Sequence, residues 1–80
     1  MIVKPKFPEL TLGAAADTVN DATCVRIYNP TAGDIVILNV QTAANFTLPG
    51  GAITFVQKAS AEELSATGNV LAVSVAFNIS

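Results

Sequence analysis

The chain has 80 residues, 51% of them hydrophobic but only 12% charged, with four basic and six acidic side chains and a formal net charge of −2. Ordinary soluble domains carry roughly 25% charged residues, so ten charges do not cover a free monomer in the usual way. Either neighbouring chains bury part of the outside, or a skin rich in Thr, Asn, Ser and Ala covers it.

This length makes one domain, near the low end of what folds unaided. With only Lys4, Lys6, Arg26 and Lys58 positive, and no basic cluster, nucleic acid is not expected as a partner. No apolar run is long enough to cross a bilayer as a helix, so no membrane partner is expected. The start, Met1 to Pro8, does not read as a secretory signal, because two prolines and two lysines interrupt it. The expected compartment is therefore the cytoplasm where the chain is made, unless it leaves as part of an assembly.

In chain order, Met1–Pro8 reads as an extended arm. Pro5 and Pro8 hold Lys4 and Phe7 out of helical geometry. Its apolar hooks Ile2, Val3 and Phe7 suit pairing with the chain's own sheet or with the edge of a neighbour, and fraying is the third option. The globular domain then occupies residues 9–80. Glu9 to Leu12 reads as a short strand, followed by a surface connection through Gly13–Ala16 and Asp17–Asp21. Ala22 to Tyr28 is the first firm strand, with Val25 and Ile27 in the core and Arg26 outward. Asn29-Pro-Thr-Ala-Gly-Asp34 makes a turn, and Ile35 to Val40 is a strand apolar on both faces. After a polar link from Gln41 to Asn45, Phe46 to Lys58 reads as a hairpin about a type II turn. Pro49-Gly50 would sit at its centre, with Phe46, Ile53 and Phe55 in the core. Ser60-Ala-Glu-Glu63 has the form of a capping box and predicts one short helical turn ending near Ala66.

The last stretch, Asn69 to Ile79, alternates strictly. Leu71, Val73, Val75, Phe77 and Ile79 are large, while Val70, Ala72, Ser74, Ala76 and Asn78 are small or polar. It predicts a long central strand with the large set closing the core and the small set forming a smooth outer face. Short strands separated by Gly/Pro turns indicate an all-β, single-domain antiparallel sandwich or small barrel, with the N-terminal arm and the one helical turn as additions.

The search for chemistry finds little. No histidine is present, so the commonest general base and metal ligand is missing. Cys24 stands alone, without a disulfide partner or an activating base, and reads as a small buried hydrophobe. Glu62 and Glu63 fit the acidic start of the predicted helical turn better than a catalytic pair. Asp17, Asp21 and Asp34 lack the dense spacing of calcium loops and read as turn formers. The glycines of Leu48–Gly51 lack the lysine and helix of a phosphate loop. The expectation is a non-enzymatic protein with no cofactor and no metal. The triplets Asn45-Phe-Thr47 and Asn78-Ile-Ser80 match the glycosylation pattern by chance.

Several segments together form a pattern: Val25-Arg-Ile-Tyr-Asn-Pro30, an apolar strand, Phe46-Thr-Leu-Pro-Gly-Gly51, a strand ending Val56-Gln-Lys58, and Lys58-Ala-Ser-Ala-Glu-Glu-Leu64 before the last strand. Over Val25 to Phe77 the chain resembles small β-rich virion proteins of tailed bacteriophages, especially those of cyanobacteria. The resemblance implies a structural subunit of the virion, foremost a capsid decoration (cement) protein that bridges coat subunits, with the major capsid protein and copies of itself as partners. A tail, fibre or collar module recognising a host-surface glycan or receptor is the alternative. Candidate contacts are Ile2, Val3, Lys4, Lys6 and Phe7 of the arm, the smooth-face residues Ala72, Ser74 and Ala76, and Tyr28, the one free aromatic outside the arm.

Overall fold

The computed structural model describes the backbone of residues 2–78 and the side chains of residues 4–76. Within these bounds the chain is all β and contains no helix. Its eight strands are β1 (Ile2–Pro5), β2 (Leu10–Leu12), β3 (Cys24–Tyr28), β4 (Ile35–Asn39), β5 (Asn45–Leu48), β6 (Ile53–Gln57), β7 (Leu64–Ala66) and β8 (Val70–Asn78). Every pairing is antiparallel. Five strands form one sheet in the order β1-β8-β3-β6, with β2 also on β8, and β5-β4-β7 form the second.

The nine residues of β8 organise the larger sheet, as the unbroken alternation from Val70 predicts. On one side β8 pairs with β3. On the other it takes β2 along Val70–Ala72 and β1 along Val75–Asn78. Between these two contacts the Lys6 amide donates to the Ser74 carbonyl at 2.9 Å, and the chain bends at Phe7. The N-terminal arm thus pairs with its own sheet.

One apolar core joins the sheets. Leu12, Val25, Ile27, Val70 and Ala72 enter it from the larger sheet, and Ile35, Ile37, Leu48, Leu64 and Ala66 from the smaller. Val19 and Ala22 close it from the loop before β3. Each fully buried Ile, Leu or Val contributes about 1.5–3 kcal/mol by leaving water. One flank of the core is closed by backbone. Asp17 and Leu64 exchange amide bonds of 3.0 and 2.9 Å, and the Ala66 amide reaches the Gly13 carbonyl at 2.8 Å, so residues 13–17 cover the outer edge of β7. The opposite flank lies between β5 and β6, where Ile37, Phe46, Val56 and Leu64 line a cleft of ≈ 330 Å³.

Four sequence expectations are corrected here. First, β8 faces the other way. Its small residues Val70, Ala72 and Ser74 point into the core, fully buried or nearly so. Leu71, Val73 and Val75 lie on the opposite face, where Val73 and Val75 are nonetheless buried. Cross-strand partners share a face, and Ala72 lies opposite Ile27 while Ser74 lies opposite Val25. The large inner residues of β3 and of the second sheet take up the volume, so the central strand offers small ones. Phe77 and Ile79, expected on the inner set, have side chains outside the described residues.

Second, β6 is turned over as well. Thr54 and Val56 face inward, while Ile53 and Phe55 are 54% and 44% exposed. Third, Phe46–Lys58 is not a hairpin. β5 pairs with β4, and β6 pairs with β3, so the intervening turn carries the chain from one sheet to the other. That turn also sits one residue later than expected. The Ala52 amide bonds the Pro49 carbonyl at 3.1 Å, and the positive φ of 77° falls on Gly51. Phe46, expected in the core, is exposed.

Fourth, the helical turn is absent. The Glu62 carboxylate accepts from the Ala59 amide at 2.7 Å, and the Glu62 amide returns a bond to the Ala59 carbonyl at 3.0 Å. This is a capping-like exchange around one tight turn, displaced by one residue from Ser60 and Glu63. Glu63 instead exchanges two hydrogen bonds with the Gln41 side chain. The chain then extends as β7, because Leu64 and Ala66 bury on one side of Ser65 with strand period.

Candidate functional site

The residues turned away from the core gather on the outer face of the larger sheet. Register sets them in rows. Phe55 and Val73 flank Arg26, Ile53 and Leu71 flank Tyr28, and Pro5 lies opposite Val75. An antiparallel sheet with one face on a core ordinarily turns a polar face to water. Here Arg26 is the one ionised side chain on the three strands β3, β6 and β8, all of whose ionisable positions are described.

Phe7 completes the surface. The bend that follows the Lys6–Ser74 bond carries its ring over the sheet, where it is 47% exposed. Pro5, Phe7, Glu9, Arg26, Phe55, Val73 and Val75 line a groove of ≈ 460 Å³. Val73 and Val75 form its floor, only 5% and 4% exposed, and the ring residues form its walls. Arg26 donates to Glu9, which ties the segment before β2 across the groove. Both partners keep about a third of their surface in water, so the pair fixes position more than it stabilises the fold. Covering the half-exposed Phe7, Ile53 and Phe55 would return about 1 kcal/mol each.

The sequence candidates divide against this geometry. Lys4, Lys6 and Phe7 are exposed on the arm, and the side chains of Ile2 and Val3 lie outside the described residues. Tyr28 is half-buried on the outer face beside Ile53 and Leu71. Ala76 is half-buried opposite Lys4. Ala72 and Ser74 lie inside this chain's own core, with 0% and 2% exposure, so they are not presented to a partner. Ile53, Phe55 and Leu71, with Val73 and Val75 buried beneath the groove, are the outer-face residues that sequence reasoning missed. The available signal was Arg26. Once β3 lies between β8 and β6, the residues opposite an outward arginine must face outward too.

A second polar cluster surrounds Lys58, which is 7% exposed. Its ammonium donates to the Ala22 carbonyl at 2.6 Å and more weakly to those of Ala59 and Ser60. Burial pulls this amine below its ordinary value, opposed by the nearby carboxylates of Asp21, Glu62 and Asp17. Ala22 ends a left-handed turn in which Val19, Asn20 and Asp21 all have φ between 54° and 57°. A β-branched residue is strained there. The turn is held by the Asp17 carboxylate on the Val19 amide at 2.7 Å, the Thr18 hydroxyl on the Asp21 amide, and Lys58 on Ala22. All three donors of the ammonium are engaged with backbone, so the cluster acts as a clasp.

Burial pushes the Cys24 thiol up, away from the reactive thiolate. Among the described residues no three His, Cys, Asp or Glu side chains group to hold a metal ion. No known protein family, curated protein or solved structure matches this chain.

Proposed function

We propose that the protein is a non-enzymatic structural subunit of a tailed-phage virion, a capsid decoration protein that docks on coat subunits through the outer face of its larger sheet. In this reading the two sheets form a β-sandwich open along β5 and β6. The observation that carries the proposal is the groove. Phe7 and Phe55 stand half-exposed around a nearly dry floor of Val73 and Val75, with Ile53 exposed farther along the same face, in a chain with only ten ionised side chains. A shell subunit that covers this face gains apolar burial and meets one ion pair, Arg26 with Glu9, at the rim. Binding that favours the assembled shell stabilises it by mass action. The arm contributes Lys4, Lys6 and Phe7 beside the groove, and further copies on the shell and the major capsid protein are the partners.

The test mixes shells lacking the protein with the full chain, with Phe55→Ser, and with a chain truncated through Pro8. Full-chain binding at copy numbers in the hundreds, weakened by Phe55→Ser and by truncation, is the expected result. Equal binding by all three would refute the outer face as the contact. Tyr28, Phe55 and Phe7 on one face also suit a second reading, a tail or fibre module that stacks host glycan on aromatic rings. Imaging decides between them, since that reading requires the chain on the tail and not on the head.

A further inference from the structure

We infer that the cleft between β5 and β6 is a binding site for a small aromatic amine, a flat apolar body that carries a positive head group. The cleft lies between the two sheets and shares no lining residue with the outer-face groove. The inference does not depend on which particle the protein belongs to.

The core is closed on one flank and open on the other. Residues 13–17 bond along β7 and seal that side with backbone. β5 and β6 are the end strands of their sheets and do not pair with each other. Cross-strand partners share a face, which fixes what points into the gap. Phe46 lies opposite Ile37 and Val56 lies opposite Val25, and both partners are buried core residues. Phe46 and Val56 therefore face the core too, yet Phe46 keeps 37% of its surface in water and Val56 is only partly buried. Protein interiors are close-packed, so a core-facing ring that stays wet marks a place where the core lacks a piece.

The missing piece has a size and a charge. The cleft measures ≈ 330 Å³, with Ile37 and Leu64 as its floor and Phe46 and Val56 as its sides. An apolar cavity of about 150 Å³ holds one benzene ring, so this one has room for two fused rings. Its mouth carries the amides of Asn39, Asn45 and Gln57, the Thr42 hydroxyl and the Glu62 carboxylate. Among the described residues that line it, Glu62 is the one ionised side chain, and none is a cation. One Glu62 oxygen accepts from the Ala59 amide at 2.7 Å, which holds the carboxylate in place. Lys58 is near enough to act on Glu62, but its ammonium is turned onto the carbonyls of Ala22, Ala59 and Ser60. A positioned carboxylate at the mouth of an apolar slot, with amide oxygens beside it, complements an ammonium joined to a ring. An anionic ligand would meet the same carboxylate with no cation to offset it.

The experiment titrates the isotopically labelled full chain at neutral pH with three probes that share an indole body. Tryptamine is positive, tryptophol neutral and indole-3-propionate negative. Amide chemical shifts report the place, and melting curves check the fold of each variant. Tryptamine is expected to bind with a Kd of about 1 mM, moving the amides of Ile37, Phe46, Val56 and Leu64 while those of Arg26, Val73 and Val75 hold still. Tryptophol should bind about fivefold more weakly, and indole-3-propionate about tenfold or more. Glu62→Gln keeps an oxygen for the Ala59 amide and should bring tryptamine and tryptophol to equal affinity. Phe46→Ser, at an exposed position, should weaken all three probes by about tenfold. The probe series on the wild type needs no variant. Tryptamine that leaves the cleft amides unmoved well past that concentration would overturn the inference. So would three probes that bind the wild type alike, a tryptamine preference that survives Glu62→Gln, or shifts centred on the outer-face groove.

Discussion

Asn29 is the buried polar residue on which three segments converge, and truncating it tests the packing described above. It is 0% exposed. Its amide nitrogen donates to the carbonyls of Gly33 at 2.8 Å and Leu48 at 2.9 Å. Its side-chain oxygen accepts from the amide and the hydroxyl of Thr31 at 2.9 and 2.7 Å. Its backbone bonds Ala52 and Gly51 across the turn between the sheets. Asn29→Ala strips four side-chain bonds, but they are not equal. Only the bond to Leu48 is fully buried, and its orphaned carbonyl costs about 1–3 kcal/mol. The groups on Gly33 and Thr31 reach water and cost about 0.5 kcal/mol each, and the small void adds about as much again. The total is about 3 kcal/mol, which for a domain of this size lowers the melting temperature by roughly 12–24 °C. Thr31→Val removes only the exposed hydroxyl and should cost under about 1 kcal/mol. Urea titrations of both variants give the comparison. An Asn29→Ala loss no larger than that of Thr31→Val would show that the hub is not what joins these segments.

Three further predictions follow from particular contacts. A Cβ on Gly50 would lie 2.6 Å from the Thr31 carbonyl oxygen and 2.7 Å from the Ala32 backbone, so Gly50→Ala should destabilise by about 2 kcal/mol in a melt, while Gly33→Ala, with open space around it, should be neutral. The facing of β8 and β6 predicts that Ala72→Leu overpacks the core and costs about 1–3 kcal/mol, whereas Ile53→Thr on the outer face stays within about 0.5 kcal/mol. Lys58→Met leaves the Ala22 carbonyl without its donor and should destabilise at neutral pH. Because burial lowers the folded-state value of Lys58 below 10.5, the unfolded chain binds more protons in the window between the two, and wild-type stability gains with rising pH there. The deficit of Lys58→Met should therefore widen towards pH 10.5 in urea titrations, and a deficit that narrows would refute the sign. The opposite alkaline contribution of Cys24 is common to both proteins and cancels.

How much of this was legible beforehand depends on which property each residue type fixes. Alternation in β3, β6 and β8 fixed those strands, because period 2 is a property of the backbone, while β4 was legible as a short apolar run bounded by turn formers. It did not fix which side is in. Val25 and Ile27 were placed correctly because Arg26 stood between them, whereas β8 and β6 offered no charge to break the tie, and size pointed the wrong way. Size misled because packing is a sum over both sheets. Ile27 and Val25 leave room for no more than Ala72 and Ser74 across from them. Turn chemistry misled in a similar manner. Pro49–Gly51 reads as a hairpin turn, yet it crosses between sheets, while the true hairpin from Ile35 to Leu48 turns without glycine. There the Asn39 side chain accepts from the amides of Gln41 and Thr42, and Ala43 takes φ 59°. Alanine gives no warning of a left-handed backbone, and neither do Val19 and Asp21. The candidate surface was hidden for the same reason as the facing, since its residues are the ones assigned to the core.

The composition and the structure then say one thing from two directions. Ten ionised side chains are few, but they are also unevenly placed. Lys4, Lys6, Glu9 and Arg26 attend the arm and the groove it crosses. Asp17, Asp21, Lys58 and Glu62 draw together at the clasp on the left-handed turn, near enough to act on one another. Between these two groups, β6 and β8 turn Ile53, Phe55, Leu71, Val73 and Val75 outward with no charge of their own among them. The shortage is therefore local to β6 and β8, with Arg26 and Glu9 paired on the same face. A single lysine on β6 would both guard the edge and break the apolar surface. The inward-turned small residues of β8 are what made its large ones available to the outer face, where Arg26 and Glu9 are the charges that line the groove.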